Sequence, residues 1–143
     1  MAARGVRTIV PGDSEAEAIE HPLQRQWTLW FDEPQGHKAS KNSFESSLRE
    51  VGVFSSVEGF WRLLDHVVLP SKMPTHSNYH CFETGVKPMW EDEHNRRGGK
   101  WVITFKPGAH IFDAVWARTL VGIVGERINV NSAVCGIVVS TNL

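Results

Sequence analysis

The stretch Gln26-Trp27-Thr28-Leu29-Trp30-Phe31-Asp32 places Trp27, Leu29 and Phe31 on one side of an extended chain and Thr28 and Trp30 on the other. Aromatic residues on both sides of a period-two pattern predict a strand that uses both of its faces. Outward from it, residues 34–41 form a loop pattern, and further strands are expected over 48–54, 77–83, 101–105 and 134–140. Two segments have helical spacing instead. In the first, Val57, Phe60, Trp61, Leu64, Val67 and Val68 recur three and four residues apart; Ser55 with Glu58 reads as a capping box, and Pro70 closes the carboxy end. In the second, residues 112–124 align Phe112, Val115, Trp116, Thr119, Leu120, Ile123 and Val124 on one face, with Gly125 as the stop. Both helices would pack on one side of an antiparallel sheet, which makes the class α+β. Trp30, Trp101 and Trp116 lie inside these patterns and read as core; Trp27 is left open between core and surface.

At 143 residues the chain has room for one ordinary domain with a single core. Residues 1–20 are polar, turn to acidic and lack periodicity, so a mobile tail is expected there, with the domain spanning 21–143. Fifteen Lys and Arg against sixteen Asp and Glu leave no broad basic footprint for duplex nucleic acid. Nucleotide recognition, if present, has to be local and centred on a base. Cys81 and Cys135 match no zinc or redox spacing, and a reduced cytosolic or nuclear setting is the default. No run of about 18 apolar residues and no secretory signal pattern occurs, so a soluble intracellular protein without a membrane partner is expected.

The chemistry concentrates in Pro88-Met89-Trp90-Glu91-Asp92-Glu93, followed by Asn95-Arg96-Arg97-Gly98-Gly99. A large aromatic beside a carboxylate on a turn suits a flat ligand that donates hydrogen bonds. The Watson–Crick edge of guanine offers two N–H donors to one carboxylate while its face stacks on an indole, and methylation at N7 adds a cation–π attraction. Out of context, Trp90 would be an exposed turn aromatic and Glu91 a solvated acid; adjacency makes them a candidate pair. Arg96, Arg97 and Lys100 read as a solvated basic edge.

This loop, with His21-Pro22-Leu23-Gln24, the Trp-x-Leu-Trp-Phe strand, Val57-Glu58-x-Phe60-Trp61, Gly125-Glu126 and Cys135-Gly136, resembles the eukaryotic translation initiation factor 4E family in order and spacing over residues 21–140. The resemblance implies a curved antiparallel sheet, helices on its convex face and an mRNA cap held on the concave side. It implies that Trp90, Glu91 and Phe44 bind the cap, Phe44 standing where the family has its first stacking tryptophan. It further implies an incomplete domain: of the family's eight strands the chain reaches about the fifth, and the position matching the first phosphate-binding basic residue is Asn142. The expected ligands are capped mRNA or 7-methyl-GTP, with no cofactor.

The same resemblance implies a second surface. His21, Pro22, Leu23, Val57, Trp61, Ala117, Val121 and Gly125 would accept a Tyr-x-x-x-x-Leu-hydrophobic helix from initiation factor 4G or a 4E-binding protein. Trp61 lies about 40 degrees from Val57 at the margin of the apolar stripe, where a side chain stays half exposed. Arg118 departs from the acidic residue usual in the family, a reversal expected to repel an ordinary partner or select an altered one. The alternative to cap binding is a cap-impaired relative that regulates translation through its adaptor surface. A metal hydrolase built on His76, His80 and the cluster Glu91-Asp92-Glu93-His94 fits the residue types, but His76 and His80 fall in a loop and a strand, where a four-residue spacing does not converge on one ion. The expectation is therefore a non-enzymatic protein with no metal site.

Overall fold

The computed structural model describes residues 19–33, 41–128 and 130–141. These form strands β1 (Pro22–Asp32), β2 (Arg49–Ser56), β3 (Asn78–Glu83) and β4 (Gly136–Ser140), with helices α1 (Lys41–Ser47), α2 (Val57–His66), α3 (Glu93–Arg96) and α4 (Phe112–Val124). The strands make one antiparallel sheet in the order β2-β1-β3-β4, with Trp27 opposite both Phe54 and Glu83, and Tyr79 opposite Val139. Register shifts between β1 and β2 bend this edge, in keeping with a curved sheet.

The period-two reading of β1 decides the layering. Trp27 and Leu29 enter the core with Phe54, Tyr79, Cys81 and Val139, and Phe60 of α2 and Trp116, Leu120, Ile123 and Val124 of α4 close over them. Trp27 is therefore core. Burying side chains such as Leu120 or Phe60 contributes about 1.5–3 kcal/mol each, and their removal from one face of the sheet leaves the other face for different use. Gly136 is required by close packing: a Cβ there would meet the Phe82 ring at 2.5 Å.

Several expectations change. Residues 101–105 are not a strand; Trp101 is fully exposed rather than core, and Val102 and Ile103 are exposed beside it. Alternation supplies strand propensity, but a strand needs a neighbour for its backbone groups, and none of the described strands pairs with this segment. The cap of α2 is Ser56, whose Oγ accepts from the Gly59 N–H at 3.0 Å, not Ser55, which is exposed and lies within β2. The helix ends at His66, ahead of Pro70, which instead begins a 3-10 turn over Pro70–Lys72. α4, by contrast, has the expected bounds, and Gly125 is its C-cap as expected; the left-handed residue is the next one, Glu126 (φ 57°), and a Cβ on Gly125 would lie 2.9 Å from the Val121 carbonyl. Helix α1 overlaps the expected loop only at Lys41 and otherwise fills residues 42–47, for which no element was expected; residues 34–40 of that loop lie outside the described residues. The expected tail over 1–20 lies outside the described residues except for Ile19 and Glu20, and Glu20 accepts hydrogen bonds from Ser56 and Arg62. Asn142 is also outside them.

Candidate functional site

On the sheet face away from α2 and α4, Trp30 of β1 stands opposite His80 of β3. His80 alternates with the core residues Tyr79 and Cys81, so its ring projects to the opposite side. Its Nε2 lies 2.5 Å from Asp32 Oδ1, and Asn78 Nδ2 donates to the other oxygen of Asp32 at 3.1 Å. Both members of the His80–Asp32 pair are buried. Phe44 of α1 meets the His80 ring edge to face, with centroids 6.1 Å apart and planes at 77°. The short helix that the sequence reading passed over thus brings Phe44 to the second face of the sheet at His80.

The turn after β3 is held by its own polar groups. Val86 and Pro88 are buried anchors, and Asn95 Nδ2 donates to the carbonyls of Lys87 and Met89 at 2.8 and 2.9 Å. Asp92 caps α3: its carboxylate accepts the Lys87 and His94 backbone N–H groups, each at 2.9 Å. Those backbone bonds, Lys87 first, hold the Asp92 carboxyl below its ordinary value. What remains at the crest is Trp90, 54% exposed, and Glu91, exposed beside it. The Lys87 ammonium then reaches Glu45 Oε1 at 2.6 Å. As a surface ion pair it is worth little energetically. Its importance is positional, because it joins the Trp90 turn to the residue next to Phe44.

The structure therefore links the turn that carries Trp90 and Glu91 to the helix that carries Phe44 through the Lys87–Glu45 contact. The second group lies on the helix side of the sheet. The Val57 N–H donates to the His21 carbonyl at 2.9 Å, and Glu58 accepts from both the His21 backbone N–H (2.8 Å) and its Nδ1 (2.7 Å), which sets His21, Pro22 and Leu23 against the start of α2. One turn on, Trp61 is 46% exposed and touches Phe60 ring to ring at 5.0 Å. Ala117, Val121 and Gly125 follow at four-residue spacing on α4, half-buried or exposed, with Arg118 exposed beside them. Leu64 and Phe60 of α2 and Leu120 of α4 line one small interior cavity, so the two helices share a core beneath these surfaces.

Sequence reasoning missed the His80–Asp32 pair and Arg25. The parity of Trp30 and Asp32 along β1 was a usable signal for the former; partners distant in the chain gave none for Arg25. Among the described residues no group of three or more His, Cys, Asp or Glu is arranged to hold a metal, and no helix is long and apolar enough to cross a membrane. Burial pushes the Cys81 thiol up to about 12, which leaves it unreactive.

A single antiparallel sheet with α2 and α4 packed on one face, and an exposed aromatic, acidic turn after β3, defines the class of this α+β protein. The family model for eukaryotic initiation factor 4E matches residues 22–142, and the chain belongs to that family. It is 42% identical over 123 residues to eukaryotic translation initiation factor 4E-1 of Oryza sativa subsp. japonica, covering 86% of this chain and 53% of the relative. To the isoform 4E of Arachis hypogaea it is 39% identical over 131 residues, 92% of this chain and 64% of the relative. The chain thus spans between half and two thirds of these relatives. Among solved structures, Ascaris suum eIF4E-3 in complex with the m2,2,7G cap superposes with a TM-score of 0.79 at 36% identity, over 87% of this chain and 68% of that one. The complex of C. elegans eIF4E-3 with the 4E-binding protein Mextli and a cap analog gives 0.77 at 34% identity, over 87% and 69%.

Proposed function

We propose that this chain binds the 7-methylguanosine cap of mRNA and acts in translation initiation, with the base between Phe44 and Trp90 and its Watson–Crick edge on Glu91. The observation that carries this reading is the Lys87–Glu45 contact, which tethers the helix bearing Phe44 to the turn bearing Trp90 and Glu91. The capped structure of the Ascaris relative supports it. The mode is binding, without catalysis. An adaptor helix from initiation factor 4G or a 4E-binding protein docks across His21, Pro22, Leu23, Val57, Trp61, Ala117, Val121 and Gly125, a reading supported by the Mextli complex of the C. elegans relative. Cytoplasmic action goes with this role, and nuclear presence is compatible with it.

Each base–aromatic stack supplies on the order of 1–3 kcal/mol and each hydrogen bond to Glu91 about 1.5–3, against roughly 4–15 kcal/mol for association. Phe44 offers a smaller face than an indole, so selectivity outlasts affinity. Titration of tryptophan fluorescence with 7-methyl-GTP, GTP and 7-methylguanosine monophosphate is the test: 7-methyl-GTP binds more tightly than GTP, and Glu91→Gln removes that preference. Equal quenching by the two nucleotides would defeat the proposal. Phe44 and the reversed charge at Arg118 favour a second reading, a cap-impaired regulator working through an altered adaptor. In that case 7-methyl-GTP fails to quench while a helical partner still binds.

A further inference from the structure

The ring of Phe44 belongs to a seven-residue helix, too short to hold its own conformation in isolation. The contacts that fix its backbone are local: the Ser47 hydroxyl and the Leu48 N–H both donate to the Phe44 carbonyl, at 2.8 and 3.2 Å. They leave the ring free to rotate. Among the described residues, Phe44 has its aromatic contact with His80, and His80 is among the better-anchored side chains on that face. Its strand is bonded on both sides, to β1 through Trp30 and to β4 through Val138. Its Nε2 is bonded to Asp32, and Asp32 is fixed in turn by Asn78.

One further feature sets this histidine apart from an ordinary buried residue. Its Nδ1 has no hydrogen-bond partner among the described residues, whereas buried side-chain polar atoms are as a rule satisfied. An apolar ring would carry no such atom but could not be locked by Asp32.

We propose that His80, locked by Asp32, is the positioning residue for Phe44: it sets the attitude at which that ring meets the face of a methylated purine. This rests on the cap-binding reading above and adds a residue to it. A stacking ring held in place loses less freedom on binding than one that rotates, so the effect falls on ligand affinity more than on folding. A methylated, cationic base, which depends most on ring orientation through its cation–π attraction, is affected more than an unmethylated one.

The test uses the full chain and His80→Gln, whose amide keeps a hydrogen bond to Asp32 but removes the ring. Affinity for 7-methyl-GTP falls roughly two- to tenfold, the range of one edge-to-face contact, and GTP binding falls less, so the preference narrows. Phe44 ring resonances in NMR lose their dispersion, a signature that a merely stabilising pair would not produce. Should His80→Gln fold poorly, two double variants replace the pair with apolar groups and differ only in the ring: D32L/H80F binds 7-methyl-GTP at least about twofold more tightly than D32L/H80L, the lower limit of such a contact. Unchanged affinity and selectivity in His80→Gln, or equal affinities in the two doubles, overturns the inference. Trp90→Ala separates the two layers: if that variant keeps full 7-methyl-GTP binding, the cap-binding reading itself is wrong, whereas loss there with no effect at His80 rejects only the role of His80.

Discussion

Arg25 shows how much one side chain can hold together. Its guanidinium lies 4.5 Å from the centre of the Trp27 ring, donates to Glu126 Oε1 at 2.8 Å and Glu83 Oε2 at 2.7 Å, and reaches the Val134 carbonyl at 3.3 Å. Burial disfavours its charge, but hydrogen bonds to Glu126 and Glu83 outweigh that, and the group is held above its ordinary value. The same contacts support Glu126 in its left-handed conformation just past α4. Arg25→Ala leaves two partly buried carboxylates without their cation, and a loss of about 2–4 kcal/mol is expected in urea unfolding. A loss below about 0.5 kcal/mol would mark the cluster as an ordinary surface pair. Nothing local announces Arg25, because its partners lie 58 and 101 residues away. Trp101 is the opposite case. Its alternating neighbours pointed to a buried strand, and only the absence of a pairing strand among the described residues puts it in solvent.

Helix α2 depends on its first turn. The serine that caps it differs by one position from the one the capping-box pattern selected: Ser55 is an exposed residue within β2, while Ser56, the last residue of the strand, has the extended conformation (φ −132°, ψ 160°) that a cap requires. Ser56→Ala should therefore cost about 1 kcal/mol and Ser55→Ala close to nothing, measured side by side by thermal melting. Glu58, which the pattern assigned to the capping box, bonds to His21 instead. The hydrogen bond from the His21 side chain, followed by that from its backbone N–H, lowers the Glu58 carboxyl to about 2 from an ordinary 4.5. The folded state thus favours the ionised form. Its stabilising contribution is complete above pH 4.5 and is lost as the pH falls towards 2. Protection of the Val57 to Phe60 amides, measured relative to their intrinsic exchange rates, is expected to fall across that window in the wild type, and the Glu58→Gln variant to lack that part of the pH dependence. The core helix α4 was legible almost to the residue, since its apolar spacing and its packing face coincide.

Across the molecule as a unit, α2 and α4 cover one face of the sheet, and Phe44 meets His80 on the other. That separation makes the roles independently testable. Trp61→Ala is expected to abolish binding of a Tyr-x-x-x-x-Leu-hydrophobic peptide, at a cost of at least about 2 kcal/mol, while leaving 7-methyl-GTP binding unchanged. Fluorescence anisotropy with labelled peptide and nucleotide distinguishes the outcomes, and joint loss would show that Trp61 supports the core. By itself the sequence determined the α+β class, β1, α4, and the place of Trp90 and Glu91 on an exposed turn, all of which are written in residues close together along the chain. Only the tertiary structure decided that Trp27 is core, that residues 101–105 pair with no described strand, that Phe44 rests on His80, and that Lys87 ties the two aromatic elements together. The physical reason is common to all four: strand pairing, ring contacts and ion pairs between distant residues are set by which surfaces meet after the chain closes on itself, and local periodicity carries no record of them.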